Sequence, residues 1–246
     1  MLVPEAGTTI EMIAIAGVLA ILLGMGLVLG LIRPNNFNPR WLLVAIGFVL
    51  LNDMLLTNAY GLVPDLLPGL QWNWQGKILA LAATLLLART AIFGWRCTGV
   101  VLRQTPGSLK SVTPVAMTYF AFFAAVALAF PSDPASKETI AFQLTMPGLE
   151  EETFYRGLLL VALDRAYLAR VRIVGVDWGW GAPLSCMLFG LAHAFGYSDD
   201  AFTFDPAIMA LTTIPSFIAV WLRYRTGSLL LPVLLHNAGN SASFLL

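Results

Sequence analysis

Three short runs in the second half of the chain carry side chains able to do chemistry. Glu150-Glu151-Glu152-Thr153-Phe154-Tyr155-Arg156 follows Pro147-Gly148, Phe189-Gly190-Leu191-Ala192-His193 comes next, and His236-Asn237-Ala238-Gly239-Asn240 is last. His193 and His236 are the only two histidines. Residues four apart share a helix face, so Glu152 is expected to pair with Arg156. Glu151 is turned about 100° from Glu152 around an α-helix and has no such basic partner in its own run. A carboxylate in that position suits a general base that takes a proton from water. His236 and Asn240 share a face, with small residues between them that allow close approach of a neighbouring helix. Each run also has a plainer reading. The glutamates make an acidic first turn favoured by the helix dipole, His193 an interfacial histidine, and His236 with Asn240 an interhelical hydrogen-bond clamp.

The elements that must position these residues are membrane helices. Of 246 residues, 58% are hydrophobic and 11% charged, against about 25% charged in soluble domains. A spanning helix needs about 20 mostly apolar residues. Segments of that kind run from Met12 to Ile32, Trp41 to Tyr60, Trp74 to Phe93 and Val112 to Phe130. Four less uniform ones follow, from Glu151 to Ala166, Trp180 to Phe195, Pro206 to Leu222 and Leu229 to Leu246. The expected fold is all-α: one polytopic domain over residues 1–246, about eight spans, with the polar site in a membrane-embedded cavity. An ionisable side chain near the bilayer centre costs roughly 2.5–3.5 kcal/mol, so the cavity must hold water.

Charge sets the remaining bounds. The flank before the first span has Glu5 and Glu11 and no Lys or Arg, unlike a secretory signal. Arg33 and Arg40, then Arg96, Arg103 and Lys110, then Arg165, Arg170 and Arg172, then Arg223 and Arg225 fall in alternate loops. The opposite loops hold only Lys77 and Lys137, and Asp199, Asp200 and Asp205 cluster in the sixth. The positive-inside rule then puts both termini outside. Zero net charge argues against a nucleic-acid partner. Cys97 and Cys186 have no metal-binding or redox spacing.

Taken in order, Glu151-Glu152-x-x-x-Arg156, Phe189-x-x-x-His193 and His236-x-x-x-Asn240 resemble the three signatures of the CPBP intramembrane proteases. That family includes type II CAAX prenyl endopeptidases and bacterial relatives linked to bacteriocin processing or immunity. The resemblance covers about Leu144 to Asn240. It implies a peptide hydrolase of a cell membrane, taken as bacterial, acting on a peptide or membrane-anchored protein, including lipidated ones. It also implies roles: Glu151 and His193 activate a water, His236 and Asn240 hold the oxyanion, and Glu152 with Arg156 fixes the helix. No cofactor is required by that scheme.

Zinc is the alternative. Glu151, His193 and His236 have the composition of a catalytic zinc set with one open position, and the family has been called a metalloprotease group. No HExxH is present, and Asn240 beside His236 suits an oxyanion hole better. Two other classes stay open: a peptide-binding or immunity protein that does not cut, and a proton-coupled transporter using buried acids such as Asp53.

Overall fold

The computed structural model describes residues 6–131 and 133–245. Glu5 and Leu246, used above for the flank and the last span, lie outside the described residues. Every expected apolar segment is helical in the main. Helices α1 (Ala6–Ile32), α2 (Pro39–Leu56), α3 (Trp74–Arg89), α4 (Trp95–Thr98), α5 (Ser108–Ala129) and α6 (Lys137–Gln143) come first. A π-helix, Gly148–Leu159, runs directly into α7 (Leu160–Ala166). Helices α8 (Gly181–Ala194), α9 (Pro206–Thr226) and α10 (Leu230–Leu245) complete the series.

Among the described residues four helices are long and apolar enough to cross a membrane: Thr8–Ile32, Pro39–Leu56, Ser108–Ala129 and Pro206–Thr226. Gly181–Ala194 is apolar but shorter. The second segment stops before Tyr60 because Asn58, Ala59 and Tyr60 all take left-handed backbone angles, which close the helix. The all-α expectation needs a correction. Two antiparallel hairpins occupy loops, one of β1 (Val171–Ile173) and β2 (Val176–Trp178), the other of β3 (Phe195–Ser198) and β4 (Ala201–Phe204). Their turns, Val174-Gly175 and Asp199-Asp200, have positive φ at both residues, which matches strand twist.

The chain forms two compact units, residues 1–64 with 159–218, and 65–158 with 219–246. In the first, α1 packs on α2, α8 and β3, α2 packs on α7, and α7 packs on α8. Asn38 caps α2 by accepting from the Arg40 N–H (3.2 Å), with Pro39 in the first turn. The Asn38 N–H donates to the Ala166 carbonyl (2.8 Å), and the Tyr167 hydroxyl donates to the Gly26 carbonyl (2.8 Å). Tyr167 also stacks on Phe37, so the end of α7 is stapled to both α1 and the turn before α2.

The second unit is organised around the π-helix. Gly148 donates its N–H to Asn237 Oδ1 (2.7 Å), and the Asn237 amide donates to the Thr145 carbonyl (3.1 Å). A Cβ at 148 would lie 2.5 Å from Asn237 Oδ1 and 2.7 Å from the Val233 carbonyl, so only glycine permits this approach to α10. Further along, Gly157 faces the Thr98 carbonyl at the end of α4. That end is itself held, since Leu229 donates to the Gly99 carbonyl (2.9 Å) and Arg223 to the Cys97 carbonyl (2.6 Å).

Candidate active site

Each of Glu150, Glu151, Glu152 and Arg156 lies on the π-helix. π turns are rare and often mark functional sites, because their i→i+5 bonding carries one extra residue per turn. Glu150, Glu152 and Arg156 are fully buried, at 0%, 1% and 2% exposure, whereas the Glu151 side chain keeps 14%. Three adjacent carboxylates in an apolar surround demand cations. Arg156 answers Glu152 at 3.2 Å.

The second cation comes from far along the chain. Lys77, in the first turn of α3, places its ammonium 2.6 Å from Glu150 Oε2 and 2.6 Å from Glu151 Oε1. Sequence reasoning put Lys77 in an outer loop and left Glu151 without a basic partner; both points are corrected here. A signal existed. Glu150, Glu151 and Glu152 against Arg156 alone leave two acids unmatched, and Lys77 is one of only two bases expected on that side. The start of α3 is firmly held. Asn73 caps it by accepting from the Gly76 N–H (2.9 Å). Glu138 of α6 accepts from the Gln71 N–H (2.9 Å), the Trp72 N–H (3.3 Å) and the Trp74 indole (3.2 Å).

His236 completes the cluster from α10. Its Nδ1 lies 2.7 Å from Glu152 Oε1, so Nδ1–H donates to the carboxylate. Its Nε2 is 3.6 Å from Glu151 Oε2, longer than a direct hydrogen bond. A ring protonated at both nitrogens offers an N–H at Nε2; a neutral one offers a lone pair there. Glu152 therefore serves Arg156 and His236 together, while the two oxygens of Glu151 face different groups, an ammonium and an imidazole edge.

Asn240, expected to work with His236, is exposed, one turn further on. The buried asparagine of this helix is Asn237, whose amide ties α10 to the start of the π-helix and which sequence reasoning passed over. His193 belongs to the other compact unit. It is exposed near the end of α8, beside Phe189 with ring centroids 4.7 Å apart. Its Nδ1 lies 2.8 Å from the Phe189 carbonyl; Nδ1–H donates there, and the neutral ring keeps its lone pair on Nε2.

Among the described residues no group of three His, Cys, Asp or Glu side chains is arranged to hold a metal ion. Glu151 already has an ammonium on one oxygen, and His236 spends one nitrogen on Glu152. Nothing in this arrangement supports the metalloprotease label.

Fold and site together define a helical integral membrane protein with a buried carboxylate–histidine centre. Residues 137–242 match the family model described as Type II CAAX prenyl endopeptidase Rce1-like. The resemblance read from the motifs is thereby borne out over a segment that holds Glu151, Glu152, Arg156, His193, His236 and Asn240, and the family is one of proteases. No curated protein and no solved structure matches the chain.

Proposed function

We propose that the protein is an intramembrane endopeptidase in which Glu151 is the general base. The observation that carries this is the contrast among the three glutamates: Glu151 alone keeps exposure, and its Oε2 stands 3.6 Å from His236 Nε2. In the proposed step Glu151 takes a proton from water as the water oxygen attacks the scissile carbonyl carbon. The carbonyl π pair moves onto oxygen, where His236 Nε2–H and the Asn240 amide donate to the oxyanion. Collapse breaks the C–N bond, and Glu151 returns its proton to the leaving amine. The motif assigns His193 a share in activating the water, and its Nε2 lone pair equips it for that. Glu152 holds the His236 ring and Arg156 holds Glu152.

The substrate is a membrane-anchored or lipid-modified peptide, in keeping with the family match. No metal is used in this scheme. The finer topology, also proposed, is eight crossing segments in a bacterial cell membrane with both termini outside; cysteine labelling at position 199 should mark it from outside, and labelling from the cytoplasm alone would reverse the orientation.

Mass spectrometry of peptides from membranes bearing the wild type or Glu151→Gln tests the activity. Cleavage products should accumulate with the wild type, and the variant should be folded but slower by at least about a hundredfold. Equal product from both would overturn the assignment. Dialysis against a strong chelator should leave the rate unchanged. Activity lost on chelation and restored by zinc would return Glu151, His193 and His236 to the role of ligands.

A further inference from the structure

In the first compact unit the loop after α1 and the segment after α7 lie together, because the Leu168 N–H donates to the Asn36 carbonyl (2.8 Å) and Phe37 bridges to Tyr167. Beside them is a cavity of about 480 Å³, within the usual range of about 300–1,000 Å³ for ligand sites. Among the described residues its lining is apolar or aromatic except for Arg33. We propose that this cavity binds one anionic glycerophospholipid, with an acyl chain among its apolar walls and the phosphate on the Arg33 guanidinium.

One wall is built by the β1–β2 hairpin. Val171 pairs with Trp178 and Ile173 with Val176, so these four side chains share a face. Val171, Ile173 and Trp178 of that face line the cavity. The other face carries Arg172 and Asp177, paired at 3.0 Å and exposed. The Trp178 indole donates to the Ile173 carbonyl (3.1 Å), and its ring centroid lies 6.2 Å from that of Phe217, which fixes the wall against α9. Ile32 at the end of α1 and Trp180 before α8 extend the apolar surround. Ile32, Val171 and Ile173 are each more than half exposed, so the surface they offer is uncovered.

Charge selects the occupant. The two loops and the helix ends beside them hold Arg33, Arg40, Arg165, Arg170 and Arg172 against Asp164 and Asp177. Arg165 lies over the Trp41 ring (4.6 Å), Arg170 is held by Asp164 and the Tyr167 carbonyl, and Arg172 by Asp177. Arg33 is exposed and makes no ion pair among the described residues. A guanidinium of that kind on the lining of an apolar cavity matches a phosphate joined to an acyl chain, and basic pockets between membrane helices take anionic headgroups. A peptide would carry backbone amide groups into the apolar lining at a cost. The cavity belongs to the first unit and the glutamates to the second, so the inference does not depend on the peptidase reading.

Native mass spectrometry of the full chain in detergent tests it, with phosphatidylglycerol, phosphatidylcholine of the same chains, or inorganic phosphate as the probe. The wild type should hold one phosphatidylglycerol about fivefold more tightly than phosphatidylcholine, the worth of one arginine beside anionic headgroups. Arg33→Gln should erase that preference, whereas Arg40→Gln, outside the lining, should keep it. Both arginines are exposed, so both variants should fold. Val171→Trp puts a larger, strand-compatible side chain into the cavity and should weaken retention of the bound phosphatidylglycerol. No preference in the wild type, equal loss in the two arginine variants, or undiminished retention by Val171→Trp would overturn the site. Inorganic phosphate bound as tightly as the lipid would overturn it as well, since the acyl chain would then contribute nothing. Displacement of phosphatidylglycerol by a farnesylated peptide would assign the cavity to substrate instead.

Discussion

Asp53 on α2 and the glutamates of the π-helix are acids placed among apolar helices, one in each compact unit. Asp53 is half-buried and meets a neutral donor, the Tyr60 hydroxyl, at 2.8 Å. Glu150, Glu151 and Glu152 meet an ammonium, a guanidinium and an imidazole. One acid near a helix end can be served by a hydroxyl. Three in succession, two of them fully buried, need cations at fixed places, and fixing the cations fixes the carboxylates too. That is how a bundle obtains charged groups with defined geometry in an apolar solvent. The second arrangement holds its carboxylates at defined distances, as the proposed chemistry requires; the first satisfies an acid where the helix stops.

The contrast can be tested by removing one partner at a time. Arg156→Ala leaves Glu152 buried beside His236 without its guanidinium, and should cost about 3–5 kcal/mol, read as a large fall in unfolding temperature in detergent. A fall too small to measure would mean that the cluster does not depend on its cations. Gly148→Ala pushes a methyl into Asn237 and the Val233 carbonyl; overpacking of this kind costs about 1–3 kcal/mol. The same measurement checks it, and an unaltered unfolding temperature would show that the π-helix is not clamped to α10 there. Tyr60→Phe should cost least, about 1 kcal/mol for one hydrogen bond, and leave peptide cleavage untouched. If it abolishes cleavage, Asp53 belongs to the machinery and the contrast between the two acids fails.

Apolar runs and the spacing of Glu152 and Arg156 were readable because both depend on neighbours along the chain. Two hairpins went unread although their signals were present: Val171-Arg172-Ile173 and Phe202-Thr203-Phe204 alternate in polarity around turn residues, and a search for spans looks past them. π winding was hidden for a different reason. It answers packing at both ends of the segment, Gly148 on α10 and Gly157 on α4, which no local pattern records. Lys77 stands 74 residues before Glu151 in sequence, so helix spacing could not join them; only the count of unmatched acids pointed to a missing cation. Asn237 and Asn240 are alike in type and three residues apart, and burial alone distinguishes them.

Short helices around this chemistry have a consequence for the lipid. In the eight-span topology proposed above, α3 and α10, with 16 residues each, would be about 24 Å long at 1.5 Å per residue, against a hydrocarbon layer of about 30 Å. Such mismatch is relieved when the layer thins or when the helix ends are flanked by polar groups that draw in headgroups and water. Lys77 sits at the beginning of one such helix, and Asn240 one turn from the end of the other. A thinned, hydrated patch of membrane beside them would bring water within reach of Glu151 without a channel across the full bilayer, and would let a substrate enter from the plane of the lipid.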